Sequence, residues 1–307
     1  MRSRDALDVA VVGGGAVGAA AALALAQAGF DVALAEAREP APWRADAPDL
    51  RVYAVAPDNA AWLDALGAWP SIRAARAAPY RAMQVWDAAG GGALRFDADA
   101  LARPELGWIV EHALLVDRLW AALPRAGVRV LAPTRVTTLE QHDDAATLGL
   151  DDGGGTRPLR ARLVVAADGG DSPLRTLAGV DAPARGYGQR GLVAYVDAEH
   201  PLQATCWQRF LPGGPLALLP VDGGAREGHR GSIVWSLPDD EAARLLAVDD
   251  ATFARELAIA FEGRFGALAP ASKPVSRENA VFTHSTRPSG PATTTALVVR
   301  SAIVASR

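Results

Sequence analysis

"VVGGGAVGAAAALALAQAGF", residues 11–30, admits two incompatible readings. From Val9 to Phe30 only Gln27 is clearly polar, and the run approaches the roughly 20 apolar residues that a transmembrane helix needs. The same stretch carries Gly13, Gly15 and Gly18 at the G-x-G-x-x-G spacing of a dinucleotide-binding turn.

Two details weigh against a membrane span. The start, "MRSRDALD", mixes Arg2 and Arg4 with Asp5 and Asp8, whereas a signal peptide carries a net positive leader. The run also divides into separate elements. Residues 8–12 have strand composition, residues 16–29 are strongly helix-forming, and Gly29 sits where a helix C-cap glycine belongs. A second buried strand, residues 31–36, ends on Glu36. Each feature of this strand–turn–helix–strand unit has a physical task. Gly13 permits the tight turn, Gly15 lets the backbone approach a pyrophosphate, and Gly18 lets the helix pack closely on the sheet. The helix N-terminus offers N–H groups and a positive dipole end to phosphates, and Glu36 can accept the hydroxyls of an adenosine ribose.

Composition narrows the rest. The chain has 307 residues, 50% hydrophobic and 21% charged, with net charge −4, so it lacks the basic balance of a nucleic-acid binder. Nearly all its basic residues are scattered arginines; Lys273 is the only lysine. A single cysteine, Cys206, excludes an internal disulfide and a multi-cysteine metal site, and reads as a small buried apolar residue of a protein in the reducing cytosol. The five histidines show no metal-ligand spacing, and none is assigned a catalytic role.

Beyond Glu36, a Pro-rich loop leads to an extended piece and an amphipathic helix within residues 50–69, with Ala61, Leu63, Leu66 and Trp69 apolar. Residues 80–101 read as a β-hairpin around a Gly-rich turn. Residues 107–127 give a short strand and a helix from about Leu114 to Leu123, followed by three strand-like runs up to residue 168. Residues 186–238 are rich in β signals, 239–266 read as one or two helices, and the remainder holds one strand-like run, "ALVVRSAIVA". This order predicts two interleaved domains.

"LVVAADGGDSPLRTLAGV", residues 163–180, is a second motif. A buried strand ends in Asp168-Gly169 at what would be the carboxyl edge of a parallel sheet, and Ser172-Pro173 would cap a helix carrying Arg175. Taken alone it could equally be a strand–turn–helix connection without a ligand.

Together, the glycine turn, Glu36 and "ADGGDSPLR" resemble the flavoprotein aromatic hydroxylases, the class A FAD monooxygenases. Within them the chain is most similar to the ubiquinone-biosynthesis hydroxylases, through "DLRVYAVAPDNAAWLDALGAW", "PYRAMQVWDAAGGGALRFDA" and "LGWIVEHALLVDRLW". The likeness runs from about residue 7 to 280. It implies an α/β fold in which a Rossmann-like FAD-binding domain (1–75 and 104–182) is interleaved with a β-sheet substrate domain (a hairpin at 76–103, then 183–280). It implies that Gly13, Gly15, Gly18 and Glu36 hold the ADP half of FAD and that Arg51 lies near the flavin. Asp168 and Gly169, with Arg175 in support, would sit near the pyrophosphate and ribityl chain. Related hydroxylases often carry Gln or Arg before the helix that opens here near Leu114, where this chain has Glu111 and His112.

The implied reaction uses NAD(P)H and O₂ to hydroxylate an aromatic ring, here a polyprenyl phenol or quinol. The implied setting is cytoplasmic, with peripheral contact to the inner membrane or to partner proteins of ubiquinone biosynthesis. Trp207, Phe210, Leu218 and Trp235 could line the aromatic pocket or be plain core. The family's later G-D-A-A-H type motif has no counterpart, since Gly-Asp does not occur after Ala280. Residues 281–307 are therefore expected to be an atypical tail, truncated or out of frame, that leaves the flavin half of the site unfinished. Three alternatives stay open: a hydroxylase of a small soluble aromatic, a non-catalytic remnant that folds, and a plain NAD(P) dehydrogenase. The last gives no reason for "ADGGDSPLR".

Overall fold

The computed structural model describes residues 6–182, 184–282 and 296–298. The opening stretch is a strand, a turn and a helix: β1 (Leu7–Val12), α1 (Ala16–Gln27) and β2 (Val32–Ala35). Gly29, at φ +88°, ends α1 in a left-handed turn that a side chain would strain, and its N–H donates to the Ala26 carbonyl. Among the described residues no helix is long and apolar enough to cross a membrane.

β3 (Val52–Val55) leads into α2 (Pro57–Ala65) and α3 (Trp69–Arg76). The helical stretch expected up to Trp69 breaks at Gly67, φ +78°, and Pro70 helps start the second helix. Leu63, Leu66 and Trp69 are buried as their spacing predicts, but Ala61 faces solvent and Ala60 takes the core position. After β4 (Ala78–Tyr80) comes the expected hairpin, β5 (Ala82–Asp87) and β6 (Ala93–Asp97). β7 (Gly107–Glu111) then runs into α4 (His112–Ala122), which opens at His112 rather than Leu114.

The three strand-like runs that follow supply β8 (Arg129–Leu131), β9 (Arg135–Gln141), β10 (Ala146–Asp151) and β11 (Thr156–Ala166), before the short helix α5 (Pro173–Leu177). The β-rich region forms β12 (Ala184–Ala198), β13 (Thr205–Leu211), β14 (Gly214–Pro220) and β15 (Arg230–Pro238). Two helices, α6 (Asp239–Ala247) and α7 (Asp250–Ala260), precede β16 (Leu268–Pro270), β17 (Val275–Phe282) and β18 (Ala296–Val298). β16 and β17 carry little apolar alternation and went unexpected; main-chain pairing to β12 makes them strands. The expectation of an atypical tail bears chiefly on residues 283–295 and 299–307, which lie outside the described residues.

The first sheet runs β8-β2-β1-β11-β10-β9. Its β8, β2, β1 and the second half of β11 are parallel, while the first half of β11 pairs antiparallel with β10. β18 lies parallel to β11 at Val164–Ala166, where β10 no longer reaches. Helices α1 and α4 cover one face, burying Leu23, Leu119 and Val11 in a common core. The approach of α1 is close. A Cβ on Gly18 would fall 1.9 Å from the Gly13 carbonyl oxygen and 3.1 Å from the Ala167 side chain.

The second sheet runs β16-β12-β15-β14-β13-β5-β6. Helices α6 and α7 cover one face, and Trp207, Leu218 and Trp235 are buried there against Phe253 and Leu257. Three of the four residues considered for an aromatic pocket are therefore core. Phe210 points to the opposite face, because strand residues alternate sides.

A small sheet, β3-β7-β4, joins the two larger ones and carries the most heavily used buried carboxylate. Glu111, only 4% exposed, accepts from the Arg76 guanidinium (2.8 Å), the Trp43 indole N–H (3.2 Å) and the Asp49 main-chain N–H (2.8 Å). Asp49 in turn accepts from the N–H groups of Arg51 and Ala113, and its carbonyl accepts the Tyr195 hydroxyl from the second sheet at 2.6 Å. The Pro-rich loop is thereby tied to α4 on one side and β12 on the other. Burial, reinforced by the carboxylates of Glu111 and Asp49, pushes the Tyr195 phenol well above its usual range.

Two substitutions test this packing. Gly18→Ala should lower unfolding stability by about 2–3 kcal/mol in a denaturant melt, since helix or strand must shift to admit the methyl group. Glu111→Ala should cost about 3 kcal/mol, because it strands a cation and two buried donors. Melts indistinguishable from wild type would refute both assignments.

Candidate functional site

The end of β1 and the start of α1 make an anion-ready concavity. Gly13 turns the chain at φ +102°, a conformation open to glycine, and its N–H donates to the Ala35 carbonyl at 2.8 Å. A side chain here would also strike Ala167, whose carbonyl oxygen lies 2.3 Å from the position of a Cβ. Gly15 differs: a Cβ there would meet no atom within 4 Å. Gly15 is the N-cap of α1, with no side-chain cap and no acidic residue in the first turn. The positive end of the helix thus meets open space, as a pyrophosphate requires.

Glu36 closes the other side. One carboxylate oxygen accepts the Gly14 N–H at 2.6 Å and the other the Arg38 N–H at 2.9 Å. A carboxylate has about four lone-pair sites, so both oxygens retain capacity for the hydroxyls of a ribose. The Trp120 indole of α4 donates to the Gly14 carbonyl at 2.6 Å. Gly14 and Trp120 are part of the turn although the motif spacing did not single them out. The middle glycine has no room for a side chain, because a Cβ would lie 2.5 Å from the Trp120 ring. A cleft of about 400 Å³ opens here, lined by Gly14, Gly15, Glu36, Arg38, His112 and Val116 among others. These features suit the ADP half of a dinucleotide.

Glu111 and His112 separate into two roles. Glu111 is consumed by the buried network, whereas His112, the first residue of α4, borders the cleft. Its Nδ1 lies 3.0 Å from the Tyr53 hydroxyl, and the Arg51 guanidinium sits over the Tyr53 ring at 5.3 Å. Arg51 is thus held beside the rim rather than in the cleft lining, and its carbonyl accepts the His112 N–H at 2.8 Å.

The Asp168 carboxylate is engaged within its own loop. It accepts the Ser172 hydroxyl and, at 2.9 Å, the Leu174 N–H, so it organises the start of α5. Ser172 caps the same helix by accepting the Arg175 N–H at 2.9 Å. Its main chain is what reaches the glycine turn: the Asp168 nitrogen lies 2.6 Å from where a Gly13 Cβ would stand. Gly169, at φ +96°, allows the sharp exit from β11, and the Arg175 guanidinium donates to the Gly170 carbonyl at 2.9 Å. Arg175 borders a separate surface hollow with Thr176 and Asp181. The structure therefore brings together Gly13, Gly15, Gly18, Glu36 and the Asp168 backbone, and leaves Arg175 and the Asp168 carboxylate outside the cleft lining. Cys206 lies beneath the second sheet with Tyr80 and Ile109, and burial pushes its thiol far above the usual range.

Comparison with known proteins agrees with this geometry. Residues 6–269 match the FAD binding domain family. The chain is 37% identical over 284 residues to the 3-demethoxyubiquinol 3-hydroxylase of Escherichia coli, covering 89% of this chain and 69% of that protein. It is 36% identical over 261 residues to the ubiquinone hydroxylase UbiL of Rhodospirillum rubrum, covering 84% of this chain and 57% of that protein. Among solved structures, the p-nitrophenol 4-monooxygenase PnpA of Pseudomonas putida shares the fold at a TM-score of 0.69 and 21% identity, over 95% of this chain and 72% of that one. The aklavinone-11 hydroxylase complex with FAD and aklavinone does so at 0.62 and 20%, over 97% and 57%. With this α/β fold and FAD as its cofactor, the chain belongs to the FAD binding domain family, in the flavin monooxygenase group that contains the ubiquinone hydroxylases.

Proposed function

We propose that the chain hydroxylates the ring of a polyprenyl phenol or quinol of the ubiquinone type, with NAD(P)H and O₂ as co-substrates. The observation that carries this reading is the uncapped N-terminus of α1 opening on the cleft beside Glu36, in a chain 37% identical to a demethoxyubiquinol hydroxylase. FAD, when bound, would supply the redox chemistry that links NAD(P)H oxidation to O₂ activation. In this reading, Gly15 leaves room for the pyrophosphate, the first N–H groups of α1 face its charge, and Glu36 accepts the ribose hydroxyls. Gly13 and Gly18 hold the turn against β11, and the Asp168–Gly169 main chain borders it. Arg51 is held by Tyr53 and the Asp49 carboxylate at the rim, where it would stand on the flavin side. Asp168 and Arg175 would support the pyrophosphate and ribityl region through the shape of the α5 turn. Identity to the quinol hydroxylases exceeds that to the p-nitrophenol enzyme, which favours a lipid-soluble substrate over a small soluble aromatic.

Gly15→Val separates cofactor binding from folding. The chain without FAD should melt as wild type, because the added side chain meets empty space, while FAD affinity falls at least about tenfold by flavin fluorescence titration. Unchanged affinity would remove Gly15 from the site. For the reaction, FAD-loaded protein given NAD(P)H, isotopically labelled O₂ and a demethoxyubiquinol analogue should yield product with one labelled oxygen, by mass spectrometry. NAD(P)H consumption without labelled product, across tailed and tail-free phenols, would overturn the hydroxylase reading.

A further inference from the structure

Among the described residues the two larger sheets end on β8, β9, β16 and β6, with β17 and β18 pairing off those paths. Three of these edges are poor templates for another strand. β8 and β16 are three residues long, and β16 ends on Pro270. β9 is polar apart from Val136 and Leu139, and it meets β10 across a register shift. β6 differs: it is five residues long, holds no proline and pairs with β5 without a shift. It also carries Leu94, 64% exposed, and Phe96, 50% exposed, on one face.

Main-chain direction and side-chain order together define what fits this edge. The Ala88 N–H donates to the Phe210 carbonyl at 2.9 Å, so even-numbered residues of β5 face β13 and odd-numbered ones face β6. The Ala98 N–H, donating to the Arg81 carbonyl at 2.8 Å, follows the same alternation. Leu94 and Phe96 therefore turn their main-chain groups to Val85 and Met83, while those of Ala93, Arg95 and Asp97 point out from the edge. The side chains alternate as well. Leu94 and Phe96 share one face; Arg95 and Asp97 share the other, 3.1 Å apart. The strand is neutral, with opposite charges in series along one side and apolar groups along the other.

We propose that two copies of this chain join edge to edge along β6, antiparallel about a two-fold axis at Phe96, so that the second sheet continues from one protomer into the next. Two-fold symmetry and the outward N–H and C=O groups admit only registers that set odd-numbered residues opposite odd-numbered ones. Centred on Arg95, the pairing sets that guanidinium opposite its own copy, which like charges disfavour. Centred on Leu94, it leaves both charges without a counter-ion opposite them. Centred on Phe96, it sets Arg95 opposite the partner's Asp97 and Asp97 opposite the partner's Arg95. Four charges then alternate in a closed ring, and on the other face Phe96 meets the partner's Phe96 with Leu94 beside them. An anionic lipid surface calls for an excess of basic residues, which this neutral strand lacks. A pairing of one short strand is small against the roughly 1,200–2,000 Å² of a standard interface, so the dimer forms and parts with concentration. The proposal stands apart from the reaction the chain carries out.

The test is sedimentation velocity of the full chain with FAD added, from about 1 to about 100 μM. Wild type should pass from monomer to dimer across this range. Phe96→Lys, which brings two cations together on the axis, should raise the dissociation constant at least about tenfold. Ile259→Lys, exposed on α7 away from the edge, should leave it unchanged. Both positions are exposed, so both variants should melt as wild type does. Cross-linking reads the register without an introduced charge. Cα atoms of Phe96→Cys and its copy would stand about 4.5 Å apart, within disulfide reach, so mild oxidation should give a covalent dimer. Arg95→Cys, set opposite the partner's Asp97, should cross-link at least about tenfold more slowly. Cys206 is buried, so wild type gives the uncross-linked baseline. A chain still monomeric at the highest concentration, a dimer indifferent to Phe96→Lys, or faster cross-linking through Arg95→Cys overturns the proposal. Wild-type monomer that sediments with phosphatidylglycerol vesicles, while Leu94→Gln does not, assigns the edge to a lipid surface and overturns it too.

Discussion

Three stretches of backbone meet at one point, and the absence of two side chains lets them. Gly13, Gly18 and Ala167 come so close that a methyl group on either glycine would overlap a main-chain atom. That contact seats α1 on β1, lays the exit of β11 across the glycine turn, and so brings two distant motifs to one edge of the first sheet. The open position at Gly15 exists because its neighbours are locked: the turn is rigid where it touches protein and vacant where it faces the cleft. Close packing leaves little freedom to relax such a junction, which is why glycine is required there rather than merely tolerated.

The parts legible in the sequence are those governed by local rules. The strand–turn–helix unit, the β5–β6 hairpin and the helix after β7 follow from glycine placement and apolar spacing, and the resemblance to flavin hydroxylases followed from two motifs. What escaped depends on tertiary context. β17 has no regular apolar alternation and becomes a strand by pairing with β12. Trp207, Leu218 and Trp235 have the side chains of an aromatic pocket, but strand parity turns them under α6 and α7. No local signal shows that the Asp168 carboxylate also organises the start of α5, accepting from Ser172 and Leu174. Nor does any local signal mark Glu111 as an anchor, because its partners at Trp43, Asp49 and Arg76 are drawn from a loop and a separate helix.

The Glu111 network also explains how an irregular, Pro-rich segment can border a site. Loops position functional groups well only when a rigid scaffold holds them. Here a buried carboxylate satisfies the loop's donors, two arginines stack on Trp43, and Tyr195 fastens the far end to the second sheet. With its phenol driven upward by burial and nearby carboxylates, Tyr195 keeps its proton across the physiological range and serves as a strap rather than an acid or base.

The parallel pairing of β5 with β13 has a consequence for how the chain reaches this state. Ala82 aligns with Thr205 and Asp87 with Phe210, so the hairpin finds its sheet only after the intervening polypeptide, including most of the first sheet, has emerged from the ribosome. Non-local parallel pairing of this kind closes late and slowly. Until then β5 stands without its inner neighbour β13, and Leu94 and Phe96 lie on a hairpin not yet joined to its sheet, which makes the half-synthesised protein the form most exposed to misassembly.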